Sequence, residues 1–424
     1  MASTAVAPET LSVAAARARI LAAAAPLPPE RVVLSEARGR ALRAALVAPR
    51  ALPTFRNSSM DGVAVRSADL AGAATGAPVT LPVVETIAAG RVASRALAPG
   101  EAMRIMTGAP MPEGADAVVP VEDIEIHSGA DGGGDERARI ARAARYGDNV
   151  RDAGADVAAG EVLLQPGREL SVHDLALFAA LGIDRVDVGP RPRAVVLSTG
   201  DELLDPGAPL APGAIYDSNR PLLVGLLEEA GARVVRAERV TDDPARVAAA
   251  IAEALEAADV VLTIGGVSAG DFDPVKASLD ALEGIALWRV AMKPGRPQAF
   301  GRPRGRLFFG LPGNPASVAC VFEVLVRPAL RRLQGYDILE RPRVAARAAV
   351  AIDSRAGRTD FVRVTLERRD DDWWASPAGE QISGHVAPQS RAHALLIVPE
   401  ERAGLAAGEP APAIVLRWPA DATA

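Results

Sequence analysis

Between residues 193 and 334 the chain alternates short apolar runs with amphipathic stretches, and this alternation constrains its fold more than any other feature. Residues 193–200 (RAVVLSTG) read as a strand ending in a polar turn. Residues 218–231 (SNRPLLVGLLEEAG) read as a helix closed by Gly231, and 233–240 (RVVRAERV) as a strand. Residues 241–258 (TDDPARVAAAIAEALEAA) form the next helical pattern, with Pro244 placed for its first turn. The run 259–266 (DVVLTIGG) is a strand of the buried type, and 273–282 (DPVKASLDAL) a helix. Strands are expected at 286–292 and 306–312, and a helix from 315 to about 333. Strands and helices in this order predict a central doubly wound parallel α/β sheet.

The flanks have another texture. Residues 11–25 read as a helix closed by Pro26, Pro28 and Pro29. From Pro53 to about residue 147, Gly, Pro and short apolar runs alternate, which predicts a β-rich segment. Helical patterning returns at 171–182, and 341–419 is again β-type, a small barrel or sandwich. A chain of 424 residues holds two to four domains, and 49% hydrophobic residues suffice for sizeable cores.

The net charge of −6 argues against nucleic-acid binding. Cys320 is the only cysteine, so no intramolecular disulfide can form and an intracellular home is expected. The Ala-rich stretch 11–25 resembles a signal peptide only superficially: Glu9 precedes it, and Arg17 and Arg19 interrupt it. No apolar run approaches the ~20 residues needed to span a bilayer. The expectation is a soluble cytoplasmic protein without membrane or nucleic-acid partners.

Among 47 basic residues only Lys276 and Lys293 are lysine, and only Asn57, Asn149, Asn219 and Asn314 are asparagine. All six sit in short polar stretches rich in turn residues. Asparagine favours turns and caps in any protein. A lysine in a chain that otherwise uses arginine marks a place where a compact point charge is wanted.

In an open α/β sheet, ligands bind beyond the carboxyl ends of the strands. Those ends carry Ser198-Thr199-Gly200-Asp201-Glu202, then Asp242-Asp243, then Gly265-Gly266-Val267-Ser268-Ala269-Gly270-Asp271 with Asp273 after it. Lys293 and Arg296 follow, and Pro312-Gly313-Asn314-Pro315 opens the last helix. Glycine turns running into helix N-termini present N–H groups to anions. The crowded carboxylates call for a cation, most simply Mg²⁺ shared with phosphate. Taken singly, TDDP reads as a helix cap, Asn314-Pro315 as a cap with proline behind it, and Lys276 as a surface lysine. No GxGxxG, no phosphate-binding GxxxxGK[ST] and no zinc-type spacing is present, and His127, His173, His385 and His393 are scattered.

Taken together, the segments resemble the molybdopterin molybdenumtransferase family (MoeA type), which includes the gephyrin E domain. The resemblance rests on LPTFRNSSMDGVAVR, AMRIMTGAPMPEGADAVVPVED, NVRDAGADV, VVLSTGDEL, IYDSN, TIGGVSAGDFDPVK, VAMKPGRPQAFG and FGLPGNPASV, in the family's order, with a looser match at ISGHVAPQSRAHALLIVP. It implies four domains: a discontinuous N-terminal one (8–50 and 148–182), an inserted β-rich one (51–147), the α/β molybdopterin-binding domain (183–336) and a C-terminal β-barrel (337–424).

The implied activity is molybdate insertion into adenylylated molybdopterin with release of AMP. A homodimer is implied, with transient contacts to the molybdopterin adenylyltransferase and to apo-molybdoenzymes, and Mg²⁺ or Zn²⁺ as the metal. The catalytic positions implied are Asp61, Thr107, Asp156, Glu202, Asp273 and Lys293. Substrate would be held by Arg151, Ser198, Thr199, Gly200, Gly265, Gly266, Ser268, Lys276, Arg296, Pro312, Gly313, Asn314 and Pro315. The metal would be held by Glu202, Asp242, Asp243 and Asp273.

The chain departs from the family pattern at Arg56, Val63, Ala155, Asp271, Arg296 and His393. Two rival readings are molybdopterin adenylylation by a related α/β domain and a non-catalytic scaffold of the same fold.

Overall fold

The computed structural model describes residues 9–127, 136–266 and 284–420. The chain divides into two compact units. Met1–Ala44, Pro166–Ser171 and Val186–Ala424 form the first, and Ala45–Gln165 with Val172–Arg185 the second.

The first unit is built on a seven-stranded sheet. Its elements are β1 (Glu9–Leu11), α1 (Val13–Ala23), β2 (Arg193–Thr199), α2 (Asn219–Glu229), β3 (Arg233–Val240), α3 (Pro244–Ala257), β4 (Val260–Ile264), β5 (Ile285–Val290), β6 (Pro297–Gly301), β7 (Leu307–Leu311) and α4 (Pro315–Val321). The strand order is β1-β5-β6-β7-β4-β2-β3. β3, β2, β4 and β7 are mutually parallel. β6 runs antiparallel to both β5 and β7 and extends this parallel core. Its sequence, PQAFG, carries no strand signature.

The double winding follows from period-two side-chain alternation. Along β4, Val260, Leu262 and Ile264 pack into a core shared with α1, α2 and the helix after β7. Val261 points the other way, into a core with Val247, Ile251 and Leu255 of α3. With both faces covered, such a strand reads as a continuous apolar run. Each fully buried aliphatic side chain contributes roughly 1.5–3 kcal/mol. The expected helix at 315–333 runs from α4 through a π-helical turn, Phe322–Val326, into α5 (Arg327–Gln334). It stops at Gly335, whose φ of 82° is left-handed.

The C-terminal segment closes into a five-stranded barrel, which settles the barrel-or-sandwich alternative. β8 (Arg343–Ala348), β9 (Thr359–Arg369), β10 (Asp372–Pro377), β11 (Ala394–Val398) and β12 (Pro410–Val415) lie in the order β9-β10-β8-β12-β11, and β11 pairs back to β9. Val362, Val364, Leu366, Leu396 and Val398 fill its interior.

The second unit holds a six-stranded sheet in the order Ala117–Pro120, Gly62–Val65, Ala102–Ile105, Val79–Ile87, Arg137–Ile140, Ile124–His127. Val63 and Val65 pack on one face with Leu81 and Ile140, and Ala64 on the other with Met103 and Ile105. Among the described residues no helix is long and apolar enough to cross a membrane.

Candidate active site

At the carboxyl ends of the parallel strands lies a cavity of about 590 Å³. It is lined by Ser198, Thr199, Gly200 and Glu202 after β2, Asp242 after β3, Gly265 and Gly266 after β4, and Gly313, Asn314 and Pro315 before α4. The turns that position these groups need glycine. Gly265 has a φ of 90°, and a Cβ there would sit 3.0 Å from the Thr199 hydroxyl. Thr199 in turn donates to the Ile264 carbonyl at 3.2 Å, tying the ends of β2 and β4 together.

The acids separate into distinct roles. Glu202 and Asp242 line the cavity. Asp243 does not: its carboxylate accepts from the N–H groups of Ala245 (2.8 Å) and Arg246 (3.4 Å) and caps α3. Among the described residues no cluster of three or more His, Cys, Asp or Glu side chains gathers as a metal cage. Among the described residues Glu202, Asp217 and Asp242 are the carboxylates that line the cavity, an all-oxygen donor set of the kind that suits Mg²⁺ together with substrate oxygens.

Beside this cavity is a second one of about 480 Å³, lined by Lys293, Arg296, Arg355 and Arg358 with Pro312, Asn314, Gln381 and Ser383. Arg358 pairs with Asp360 at 2.8 Å, while Lys293, Arg296 and Arg355 make no ion pair among the described residues. Buried Gln298 donates to the Gly295 carbonyl at 2.7 Å and so fixes the turn that carries Lys293 and Arg296.

The cations and the carboxylates therefore occupy neighbouring chambers, and Asn314 lines both. Asn314 occupies the position before α4 but its side chain makes no cap. It donates instead to the Ser383 hydroxyl at 3.1 Å. The Ser383 carbonyl accepts from Ala316 N–H at 3.1 Å, so a loop of the barrel domain supplies the helix cap.

In the second unit, three of the quoted motifs meet at one corner. The carboxylate of Asp61 accepts from both the N–H (2.6 Å) and the hydroxyl (2.8 Å) of Thr107. These two bonds hold the Asp61 carboxyl below the usual carboxylate range. Ser58 N–H donates to Ala109 O at 3.0 Å and Gly108 N–H to Ser58 O at 2.8 Å, and Asn57–Ser58 pairs with Val150–Arg151. Arg151 and Asp156 are exposed on that last segment. Arg56 pairs with Asp152 at 3.0 Å. Ser268, Asp273 and Lys276, and the helix expected at 273–282, lie outside the described residues.

Other residues of the two cavities went unassigned in the sequence. Asp217 and Asn219 line the first cavity, both almost wholly buried, and Asn219 donates to the Gly313 carbonyl at 2.6 Å. The motif IYDSN was their signal, since Asn219 is one of four asparagines. Arg355 and Arg358 had none, because arginine is commonplace in this chain. Cys320 is buried, and desolvation pushes its thiol up, so it is no nucleophile.

A two-chambered cleft, one chamber lined by carboxylates and the other by cations, lies at the edge of a doubly wound sheet beside a small barrel, the arrangement of a multidomain α/β enzyme. Residues 11–182 match the family model of the MoeA N-terminal region (domain I and II), 195–332 a probable molybdopterin binding domain, and 345–416 the MoeA C-terminal region (domain IV). The chain is 41% identical over 386 residues to molybdopterin molybdenumtransferase 2 of Mycobacterium tuberculosis, covering 90% of this chain and 93% of that one. It is 35% identical to the molybdopterin molybdenumtransferase of Haemophilus influenzae, covering 91% and 93%. A crystal structure of the molybdopterin biosynthesis MoeA protein of Pyrococcus horikoshii superposes with a TM-score of 0.83 at 30% identity, covering 97% of this chain and all of that one. The chain belongs to the MoeA family of molybdopterin molybdenumtransferases, enzymes of molybdenum cofactor biosynthesis.

Proposed function

We propose that this chain inserts molybdate into adenylylated molybdopterin and releases AMP. One observation carries the reading: a carboxylate-lined chamber and a cationic chamber share the wall Pro312–Pro315, and Asn314 faces both. The first chamber suits the phosphoanhydride and its metal. The second, with Lys293, Arg296, Arg355 and Arg358, suits a small tetrahedral oxyanion such as molybdate.

Gly265 N–H donates to the Leu311 carbonyl at 3.0 Å, and the backbone N–H groups of Gly266 and Gly313 offer donors to phosphate oxygens without side-chain bulk. Glu202 and Asp242 are the groups that would hold Mg²⁺. Bound there, Mg²⁺ would neutralise charge on the phosphates as the anhydride breaks. An oxygen nucleophile attacks the adenylate phosphorus, the bond to the molybdopterin phosphate oxygen breaks, and AMP departs. The molybdopterin so released from the nucleotide keeps its phosphate, and its dithiol then replaces one oxygen of molybdate from the adjoining chamber, the two thiol protons leaving with that oxygen as water.

Incubation with adenylylated molybdopterin, with and without molybdate, tests this. AMP release that depends on molybdate is expected. Release indifferent to molybdate, or adenylylation of molybdopterin from ATP, would refute it.

We further infer a cytoplasmic homodimer. Met60 and Met106 are each 38% exposed, and Val121 49%. All three flank the fixed Asp61 carboxylate, with Val121 N–H donating to Asp61 O at 2.9 Å. Apolar side chains so placed are covered in an assembly. Light scattering would report the mass, and a fully active monomer would overturn the inference.

A further inference from the structure

We propose that Arg363 is a positioning residue whose guanidinium sets the shared roof of the two chambers. This rests on the reading of those chambers given above. Arg363 lies on β9 inside the barrel domain and is only 2% exposed. A buried guanidinium ordinarily meets a carboxylate. This one meets none among its hydrogen-bond partners. Its side chain donates to the carbonyls of Glu380, Ile382 and His385, each at 3.0 Å, and to Gln381 Oε1 at 3.4 Å. Gln381 returns the contact, donating to Arg363 O at 3.2 Å and to Gly379 O at 2.8 Å, while Arg363 N–H donates to Gln381 Oε1 at 2.9 Å. Every acceptor of the guanidinium belongs to one loop, 380–385.

That loop is the roof. Gln381 and Ser383 line the cationic chamber, and Gly384 lines the carboxylate chamber. Ser383 accepts from Asn314 at 3.1 Å and caps α4 through its carbonyl. A planar guanidinium with five N–H donors in a fixed fork spans carbonyls spread along a loop, whereas an ammonium offers three donors from a single nitrogen and covers a narrower span. Desolvation lowers the Arg363 pKa from its ordinary value, a penalty that the carbonyl bonds offset. The barrel domain thus shapes the ligand chambers through a residue that touches no ligand.

The test uses the full chain with Arg363→Lys and Arg363→Met. Three quantities are read: hydrogen exchange over 379–386, equilibrium binding of molybdate and of inorganic phosphate, and KM for molybdate against kcat for AMP release. Both variants should exchange faster in the loop and bind molybdate about tenfold more weakly, the scale of one lost charge-assisted hydrogen bond. The loss should fall on KM. Lysine keeps the charge and should not rescue. Wild-type affinity in Arg363→Lys would show that charge alone matters and would overturn the proposal, as would unchanged exchange or a wild type that binds neither anion. Where Arg363→Met fails to fold, the lysine variant decides alone. Absence of AMP release by the wild type would count against the functional reading while leaving the exchange and binding results to judge Arg363.

Discussion

Asp201 and Asp242 hold each other across the ends of β2 and β3. The backbone N–H of each donates to the carboxylate of the other, both at 3.2 Å. This latch fixes the turn that carries Glu202, and it leaves Asp242 one oxygen for other work. It also divides the pair Asp242-Asp243 by function, since Asp243 caps α3 and does not line the cavity.

The division gives the first prediction. Asp242→Ala should lower AMP release and raise the Mg²⁺ concentration needed for half-maximal rate. Asp201→Ala should do the same more weakly, and the two losses should not add, because both open one latch. Asp243→Ala should instead cost about 1 kcal/mol of stability, the usual worth of an N-cap, and leave the Mg²⁺ dependence alone. Denaturant titration and rate measurements against Mg²⁺ separate the three. An altered Mg²⁺ dependence in Asp243→Ala would reverse the assignment.

The second prediction concerns pH. Two donors from Thr107 hold the Asp61 carboxyl below its ordinary range. A carboxyl whose folded pKa is depressed stabilises the fold fully above the unfolded carboxylate pKa, and the stabilisation disappears as pH falls through the folded value. Asp61 therefore stays charged throughout the neutral and mildly acidic range. Thr107→Val removes the hydroxyl and keeps the backbone donor. The Asp61 pKa should rise in that variant yet remain below the ordinary value, as read by carboxyl carbon shifts during titration. An unmoved pKa would mean that the hydroxyl bond is not made in solution.

The sheet was legible because its inner strands β2, β4 and β7 are buried on both faces and its helices carry their own start and stop signals, as at Pro244 and Gly231. β6 was not, since PQAFG takes strand form only by lying between β5 and β7. The rare asparagines were a mixed signal. Asn149 has a φ of 55° and bonds Val118 O at 2.9 Å, a backbone duty. Asn219 and Asn314 face the cavity. The split of cations and carboxylates into two chambers could not be read from the chain, because every ligand-type turn clusters at the same sheet edge in sequence terms. The roof was equally hidden: Arg363 is one arginine among many, and its partners are backbone carbonyls, which leave no mark in a sequence.

Two glycines of the first cavity should respond in opposite ways. Gly265 has a left-handed φ and would press a methyl group to 3.0 Å from Thr199 Oγ1. Gly265→Ala should lose roughly 1–2 kcal/mol of stability from the left-handed backbone. Gly313 is not left-handed, and its added methyl would meet only Gly265 Cα at 3.8 Å. Gly313→Ala should keep wild-type stability and yet raise KM for the adenylylated substrate, because the methyl narrows the approach to the backbone. Calorimetry beside steady-state kinetics measures both, and an unchanged KM in Gly313→Ala would remove that turn from the binding surface.

Lys293 supplies the sharpest test of the cationic chamber. It is exposed there and makes no ion pair among the described residues, in a chain whose basic residues are otherwise nearly all arginine. A hydrogen bond to a charged group is worth about 1.5–3 kcal/mol, so Lys293→Met should weaken molybdate binding by roughly ten- to a hundredfold. Rising ionic strength should weaken the wild type more than the variant, since one of the screened charges is gone. Lys293→Arg keeps the charge but replaces a compact ammonium with a wide planar fork, and should recover only part of the affinity. Full recovery in Lys293→Arg would show that charge alone is needed and would leave the choice of lysine at this turn without a physical reason.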